Sequence, residues 1–325
     1  MKVDPAHTPR DAADNGGVIV YLSMGGGLTQ FGAYLDTLMP GSTSSEKHWH
    51  DSEDELVYVL DGTATVMDDD GAHDLTPGDA ACWRHGDPNA HHLINRTDAP
   101  VRYLIVGARV ARDICHYPDV GERQVNLDAT WQILTADGQV IDGGDLPPHL
   151  LNLAPIWGTS FNPAHPKPRI LRAASAVWNR DENPAHPITG PGPGLYSYRL
   201  ISDVGGLTQF GAFIEELPPG SRSGHRHWHQ NEDEMIYMLS GKLVLVEDTE
   251  TLLGPGDVAC WPAGHPVGHR LDNRSDGPAS YLVIGTRSGR DIIHYTDHDL
   301  ITHKDGPSRR YLHRDGTPYP KRSDQ

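Results

Sequence analysis

The chain has 325 residues, which is long for one compact domain, and its hydrophobic (37%) and aromatic (7%) fractions can support two cores. Its formal charge of −17 disfavours nucleic acid and anionic membranes as partners, because both are themselves negative. The abundance of glycine (35) and proline (26) favours short strands joined by turns over long helices.

The N-terminal stretch and the cysteines bear on where the protein works. MKVDPAHTPRDAADNGG has no apolar run, which predicts that no secretion signal is present. No other run approaches the ~18 apolar residues that span a bilayer. The three cysteines, Cys82, Cys115 and Cys260, suggest no disulfide framework. We therefore expect all three cysteines to be small, buried core residues, and the protein to be cytoplasmic.

Short apolar runs and turn signals alternate along the first half of the chain. After GGLTQFGA comes KHWHDSEDELVYVLDG, which begins with ligand-type side chains and continues as a strand. TATVMDDDGAHDL predicts a hairpin, LTPGDAACW a turn before a strand, and VRYLIVGA a further strand. No segment has an apolar period of helical length, so the predicted fold class is all-β.

The same order of elements then occurs a second time. GGLTQFGA at Gly26 recurs at Gly205, and RDICHYPD at Arg112 recurs as RDIIHYTD at Arg290. The repeat predicts two tandem antiparallel barrels or jelly rolls, over residues 1–145 and 165–325. The proline-rich residues 146–164 are predicted to link them.

Side chains suited to metal coordination gather around the HWH tripeptide of each copy. Alternate residues of a strand share a face, so His48 and His50 point one way and Trp49 the other. Glu55 starts the next strand run and His91 follows later, which completes a set of three nitrogens and one carboxylate. Such a set suits a divalent transition metal with one or two open positions. The second copy repeats the candidate ligands as His227, His229, Glu234 and His269.

These residues resemble the two motifs of the cupin superfamily. The first motif, a glycine, HxH, a glutamate and a glycine, is matched by Gly41, His48, His50, Glu55 and Gly62, and by Gly220, His227, His229, Glu234 and Gly241. The second motif is matched by Gly78, Gly86, His91 and Asn95, and by Gly256, Pro262, Gly264, His269 and Asn273. The spacers differ slightly from the family pattern, and Arg84 replaces the proline in the first copy, which alters a turn and no ligand. The resemblance implies two cupin (double-stranded β-helix) barrels, a bicupin.

Neighbouring residues leave the choice of ligand partly open. Glu53 and Asp54 compete with Glu55 for the carboxylate role, as Glu232 and Asp233 do with Glu234, and the spacing of the cupin motif favours Glu55 and Glu234. His92 lies beside His91, but Arg270 replaces His92 in the second copy, which disfavours it.

Three further pairs recur in both copies. Arg109 with Asp113, and Arg287 with Asp291, are interpreted as structural ion pairs. His116 and His294 are assigned structural roles, and Gln30 and Gln209 could reach the barrel interior and hydrogen-bond a ligand or substrate.

The resemblance implies one or two divalent metal ions per chain, with Fe(II) first and Mn, Ni, Zn or Cu as alternatives. Our first interpretation is a dioxygenase-like oxidoreductase acting on a small oxygenated organic molecule. A non-redox isomerase, lyase or decarboxylase is the second, and a non-catalytic module that binds a sugar or carboxylate is the third. Cupins of all these kinds exist, so the fold does not choose among them. A barrel that has lost its metal is a further alternative, and the chain could act as a monomer or a homo-oligomer.

The chain also resembles bacterial single-barrel cupin proteins that carry GGLTQFG, RHWH and a terminal HRDGTPYP, and it looks like a duplication of that unit. This resemblance implies a metalloenzyme and leaves its substrate undefined.

Overall fold

The computed structural model describes residues 1–4, 7–12, 16–151, 153 and 157–320. The chain divides into two compact units. The first unit comprises Asp4–Ala176 and Ile201–Gly211, and the second comprises Met1–Val3, Val177–Leu200 and Ala212–Gln325. The boundaries expected from the sequence repeat, near residues 145 and 165, stay a prediction.

The first unit is built from antiparallel sheets. They have the strand orders β1-β2-β3-β10-β5-β8-β15, β14-β13-β12-β11-β4 and β7-β6-β9. The elements are β1 (Arg10–Ala12), β2 (Val18–Val20), α1 (Leu22–Gly25), β3 (Phe31–Leu38), β4 (Trp49–His50), β5 (Glu55–Asp61), β6 (Ala64–Asp68), β7 (Gly71–Leu75), β8 (Ala80–Trp83), β9 (His91–Ile94), β10 (Val101–Ala108), β11 (Arg112–Tyr117), β12 (Glu122–Leu127), β13 (Thr130–Thr135), β14 (Val140–Asp145) and β15 (Ile170–Leu171), with short 3-10 turns at Pro148–Leu150 and Ala173–Ser175.

The second copy of the sequence repeats this plan. Its sheets have the orders β16-β17-β18-β25-β20-β23, β19-β26-β27-β28 and β22-β21-β24. The elements are β16 (Asn179–Glu182), β17 (Tyr196–Leu200), α2 (Ser202–Gly205), β18 (Phe210–Leu217), β19 (His227–His229), β20 (Glu234–Ser240), β21 (Leu243–Val246), β22 (Glu250–Leu253), β23 (Val258–Trp261), β24 (Arg270–Asp272), β25 (Ala279–Thr286), β26 (Arg290–Tyr295), β27 (Leu300–Asp305) and β28 (Ser308–Leu312). The predicted all-β class with two tandem barrels is confirmed. Among the described residues, no helix has the length and hydropathy that a membrane span needs.

The phase of one strand carries the candidate carboxylate into the interior of each barrel. On β5, Val57 and Val59 are fully buried in a core cluster that also contains Leu93 and Tyr103. Because alternate residues of a strand share a face, Glu55 points to the same side as these valines. On β20, Glu234 has the same phase as Ile236 and Met238 of the second core.

The residues just before each sequence copy pair with a strand that belongs to the other copy. In the first unit, Ile170 and Leu171 pair with Ala81 and Ala80 on β8. In the second unit, Lys2 bridges to Ala259, and the Val3 amide donates to the Val258 carbonyl at 2.8 Å. Both segments therefore complete a sheet edge that the local sequence leaves open.

One glycine of the cupin pattern allows the chain to turn at a crowded place. Gly62 has a φ of 78°, and a Cβ there would lie 3.0 Å from the Pro100 carbonyl oxygen. Its counterpart Gly241 has a φ of 72° and would place a Cβ 2.6 Å from the Pro278 oxygen. The positive φ and the close carbonyl both favour glycine.

The asparagine of the second motif is a structural clamp in both copies. Asn95 is fully buried, and its Nδ2 donates to the carbonyls of Leu38 and Ala99, each at 2.8 Å. Its Oδ1 accepts from the amide and hydroxyl of Thr97 at 3.0 and 2.7 Å. Asn273 makes the corresponding four bonds, to Leu217, Gly277 and Ser275.

We predict that Asn95→Ala and Asn273→Ala each lower the free energy of unfolding by about 1–3 kcal/mol. Each substitution leaves buried backbone groups without a hydrogen-bond partner. Urea denaturation followed by circular dichroism measures the loss. The exposed Asn183→Ala is the control and should change stability by less than about 0.5 kcal/mol. Equal stabilities of all three variants would contradict the clamp.

Candidate metal centres

In the first unit, the three predicted histidine ligands and Glu55 are neighbours. The ring centroids of His48 and His50 are 5.2 Å apart, and those of His48 and His91 are 5.0 Å apart. The Glu55 Oε2 atom lies 3.1 Å from His91 Nε2 and 3.7 Å from His48 Nε2. His48, Glu55 and His91 have ligand atoms within 4.8 Å of one another, a spacing suited to a divalent ion.

Backbone pairing places the histidines on one side. The amides of His48 and His91 each donate to the carbonyl of the other, at 3.0 and 2.9 Å. His50 follows two residues after His48 and faces the same way. Trp49 faces the opposite way and stacks on His116 with 3.9 Å between ring centroids. The predicted alternation around HWH is confirmed, and His116 has the structural contact expected of it.

Each of the HWH histidines is held by its Nδ1 atom, which turns Nε2 toward the site. His48 donates from Nδ1 to the Glu46 carbonyl at 2.8 Å, and His50 donates to Asp113 Oδ2 at 2.6 Å. Asp113 also accepts from the Ser52 amide at 2.8 Å. Burial lowers the pKa of His50, but the Asp113 carboxylate raises it well above its ordinary value. A carboxylate in this position orients an imidazole ligand and increases its basicity.

A tryptophan holds the third histidine in place. Trp83 stacks on His91 with 3.6 Å between centroids and 9° between ring planes. Trp261 stacks on His269 at 3.7 Å and 11°. In both units the stacking fixes the ring plane of a candidate ligand.

The second unit repeats this geometry. His269 Nε2 lies 3.2 Å and His229 Nε2 3.8 Å from Glu234 Oε2. His227 donates from Nδ1 to the His225 carbonyl at 2.8 Å, and His229 donates to Asp291 at 2.6 Å. Ligand atoms of His227, His229 and Glu234 lie within 4.8 Å of one another. Both units therefore bring together the side chains that the sequence singled out.

The three consecutive acids in the first unit have three different environments. Glu55 contacts His48 and His91, as the motif spacing predicts. Asp54 is fully buried and accepts bonds from the amide and Nδ1 of His85, at 2.9 and 2.6 Å. Glu53 accepts from the Val110 amide at 3.0 Å. Only Glu55 of the three contacts two candidate histidine ligands.

Burial and neighbouring charge set the protonation of these groups. Burial would raise the pKa of Glu55, but the charges and hydrogen bonds of His91 and His48 hold it well below its usual range. Burial lowers the pKa of His91, and burial followed by its histidine neighbours lowers the pKa of His227 to about 4. An ionised carboxylate beside neutral imidazoles is the state in which such groups coordinate a metal. The donor set fits a divalent ion, as do the ionised Glu55 and the lowered pKa values of His91 and His227, whereas coordination by His50, whose pKa is raised, would displace its proton.

A cavity of about 330 Å³ opens onto the candidate ligands of the first unit. Part of its wall is apolar, formed by Ile105, Val110, Leu146, Leu150 and Leu153. Polar groups line the remainder, namely Tyr34, Ser44, Ser45, Glu53, His92, Arg109 and Asn126. This mixture is typical of sites that hold a small molecule in a fixed orientation.

Glu53 lacks two contacts that its counterpart Glu232 makes, one with Lys304 and one with the Ser288 hydroxyl, which donates to Glu232 Oε1 at 2.8 Å. Glu232 Oε1 lies 2.5 Å from the Lys304 ammonium, which pairs with it. Lys304 occupies the position opposite Asp291 in the strand register, and the matching position opposite Asp113 holds the uncharged Asn126. Burial, followed by the charge of Asp113, raises the pKa of Glu53 to about 8.

The expected ion pair between Arg109 and Asp113 is wrong. Asp113 hydrogen-bonds His50 and Ser52, while the Arg109 guanidinium donates to the Leu28 carbonyl at 3.0 Å and to Ser23 Oγ at 3.2 Å, so they are not an ion pair. The recurrence of Arg and Asp in both copies indicated that Asp113 has a role, but it did not identify His50 as the partner of Asp113.

Gln209 does not face the interior of the second barrel. It is fully buried in the first unit, where its Oε1 accepts from the Asp54 amide at 2.6 Å and its Nε2 donates to the Ser52 carbonyl at 2.8 Å. A glutamine from the second copy therefore supports the acidic turn of the first. No local sequence signal could reveal this contact.

Comparison with known proteins gives matches of sequence and of fold. The sequence matches the family described as cupin domain over residues 34–107 and again over residues 213–285. A sugar phosphate isomerase of the cupin superfamily from Silicibacter pomeroyi is 35% identical over 46% of this chain and 94% of its own, with a TM-score of 0.41. No curated protein sequence matches the chain.

Two likenesses extend over most of the chain. Oxalate decarboxylase from Bacillus subtilis is 16% identical over 91% of this chain and 78% of its own, with a TM-score of 0.53. AerE from Microcystis aeruginosa is 12% identical over 86% of this chain and 97% of its own, with a TM-score of 0.50. At these identities the likeness concerns the fold alone. With one match to the cupin domain in each unit, the chain belongs to the cupin superfamily and is a bicupin.

Proposed function

We propose that this bicupin is a metal-dependent oxygenase whose first unit acts on a small oxygenated organic molecule. The observation that carries the proposal is the cavity of about 330 Å³, which joins the four candidate ligands and Glu53 in one partly apolar space. A site of this kind can take a substrate and seclude it, whereas a shallow, exposed site would favour simple binding.

Residues of the first unit would hold the metal ion and orient the side chains that coordinate it. His48, His50, His91 and Glu55 would hold the ion, with Asp113 orienting His50 and Trp83 orienting His91. When bound, a divalent ion would supply Lewis acidity toward a substrate oxygen and, for Fe(II), dioxygen chemistry. Fe(II) stays the first choice over Mn, Ni, Zn and Cu, because imidazole with carboxylate and open positions suits it.

The apolar wall supports a substrate with a hydrocarbon portion. Leu146, Leu150 and Leu153 face the cavity together with Ile105 and Val110, and would exclude water from one side of a bound molecule. The substrate's hydroxyl or carbonyl oxygen would then be directed toward the candidate ligands. An enol, a catechol or a β-diketone has this combination of groups.

The contrast between Glu53 and Glu232 supports placing the reaction in the first unit. Lys304 neutralises Glu232 and occupies its carboxylate. In the first unit, Asn126 takes the corresponding place, and Glu53 lines the cavity beside the ligands. Glu53 is therefore available to hold or move a proton on a bound molecule, while Glu232 is engaged in an ion pair.

The same residue favours a second candidate, a non-redox isomerase, lyase or decarboxylase. These reactions need a proton to be delivered or removed beside a polarised oxygen, and Glu53 lies where it could do so. The oxygen dependence of turnover separates the two candidates.

We predict two equivalents of divalent metal per chain. His48→Ala with His91→Ala should remove the metal of the first unit, and His227→Ala with His269→Ala that of the second, because each pair deletes two of four ligands. Elemental analysis of purified protein after metal reconstitution measures the ratio. Two equivalents retained by either double variant would contradict the ligand assignment.

Oxygen consumption is the direct test of the proposed reaction. Protein reconstituted with Fe(II) under anaerobic conditions should consume dioxygen when an enol, catechol or β-diketone substrate is added, and the His48→Ala/His91→Ala variant should not. Turnover of a substrate under nitrogen without oxygen uptake would instead assign the non-redox alternative.

We predict that Glu53→Gln lowers turnover by about 100-fold or more, because the amide keeps an acceptor for the Val110 amide but cannot transfer a proton. The matched control Glu232→Gln should leave turnover within about twofold. Steady-state rates with metal content verified for each variant make the comparison.

The substitution Asn126→Lys extends this test, because it gives the first unit a lysine at the position that Lys304 occupies in the second. An ammonium beside Glu53 should reduce turnover without removing the metal. Unchanged turnover in both Glu53→Gln and Asn126→Lys would show that Glu53 has no part in the reaction.

A further inference from the structure

A thiol lies against the histidines of the first unit. Cys115 is 6% exposed and stands directly opposite His50 in the pairing of β11 with β4. Directly opposed residues of an antiparallel pair project to the same face, so the Cys115 side chain is on the His50 side. Its sulfur and one ring nitrogen each of His48 and His50 lie within 4.8 Å of one another.

The second unit has no thiol at this position. The residue opposite His229 is Ile293, whose side chain cannot coordinate a metal. The other two cysteines, Cys82 and Cys260, are buried in strands β8 and β23, and burial raises the pKa of both thiols, that of Cys260 to about 12. The two candidate centres thus share three imidazoles and a carboxylate but differ in one sulfur atom.

The sulfur lies near candidate ligand atoms. With Cys115 the ion would have five protein donors, and atoms bound at about 2.0–2.3 Å in a five- or six-coordinate arrangement lie roughly 3 Å apart. The atoms of this group are within 4.8 Å of one another, so coordination requires the sulfur to move toward the ion. His48 belongs both to this group and to the group with Glu55 and His91, which connects the sulfur to the candidate ligand set.

We propose that Cys115 is a thiolate ligand to the ion of the first unit, a donor that the second centre lacks. The inference rests on the proposed metal binding of the first unit. On coordination the thiol S–H bond breaks, the proton passes to water, and the sulfur lone pair forms the bond to the ion.

Cobalt(II) tests the proposal because a thiolate ligand gives it a charge-transfer absorption in the near ultraviolet. The parent protein is the full chain with His227→Ala and His269→Ala, so that cobalt bound to it reports on the first unit. We expect one cobalt per chain and the sulfur band. Cys115→Ile, which copies the residue of the second unit, should lose the band and keep bound cobalt.

Two matched variants separate the role of Cys115 from a general effect of cysteine. Cys82→Ala should retain the full band, because that thiol lies outside the candidate centre. Ile293→Cys, in a chain whose first centre is removed by His48→Ala and His91→Ala, should gain a band.

Each outcome distinguishes the two proposals. Cobalt bound to the parent without a sulfur band overturns the role of Cys115 and leaves metal binding intact. No bound cobalt in the parent overturns metal binding by the first unit itself. If Cys115→Ile does not fold, X-ray absorption of the zinc-loaded parent decides, because a sulfur ligand contributes a scatterer at about 2.3 Å and its absence contradicts the proposal.

Discussion

The buried carboxylate of Asp54 is the constraint on which the first centre depends. A buried charge is costly unless its oxygens are satisfied. Asp54 accepts from the amide and Nδ1 of His85 and from the amides of Thr208 and Gln209, the last two at 2.5 and 2.8 Å. These bonds fix the turn between Ser52 and Glu55. On one side of Asp54, Glu53 reaches the cavity, and on the other Glu55 begins β5 facing the histidines. The equivalent turn of the second unit has Asp233, whose Oδ1 accepts from the Ala263 amide at 2.7 Å.

Around this turn the site is built largely before any ligand arrives. Carbonyl and carboxylate acceptors hold the Nδ1 atoms of the HWH histidines, and a stacked tryptophan fixes the plane of the third. Side chains oriented in this way lose little freedom when they coordinate an ion, because their conformation is already restricted. The same devices recur in the second unit, so both centres have a scaffold for an ion. The acid beside the second scaffold, Glu232, is paired with Lys304.

Two differences between the units bear directly on the chemistry of their candidate centres. The first unit has Asn126 where the second has Lys304, so Glu53 lacks the ion pair that Glu232 makes. The first unit also has Cys115 where the second has Ile293, which adds a sulfur beside two imidazoles. Neither change disturbs a strand, because each lies on a barrel-facing position of a regular pair. Substitutions of this kind can alter chemistry while the fold stays the same, since the backbone hydrogen bonds that define the barrel do not involve them.

The sequence by itself determined the all-β class, the duplication and the candidate ligands, because strand alternation and motif spacing are local properties. Period-two phasing places His48 with His50 and Glu55 with the core valines wherever the strands run. Only the tertiary structure decided which distant groups meet those residues. The partner of Asp113 is His50 and not Arg109, Gln209 supports the turn of the other copy, and Cys115 lies beside a candidate ligand. Strand register and the exchange of segments between the copies set these contacts, and both depend on side chains far apart in the chain, which no local pattern records.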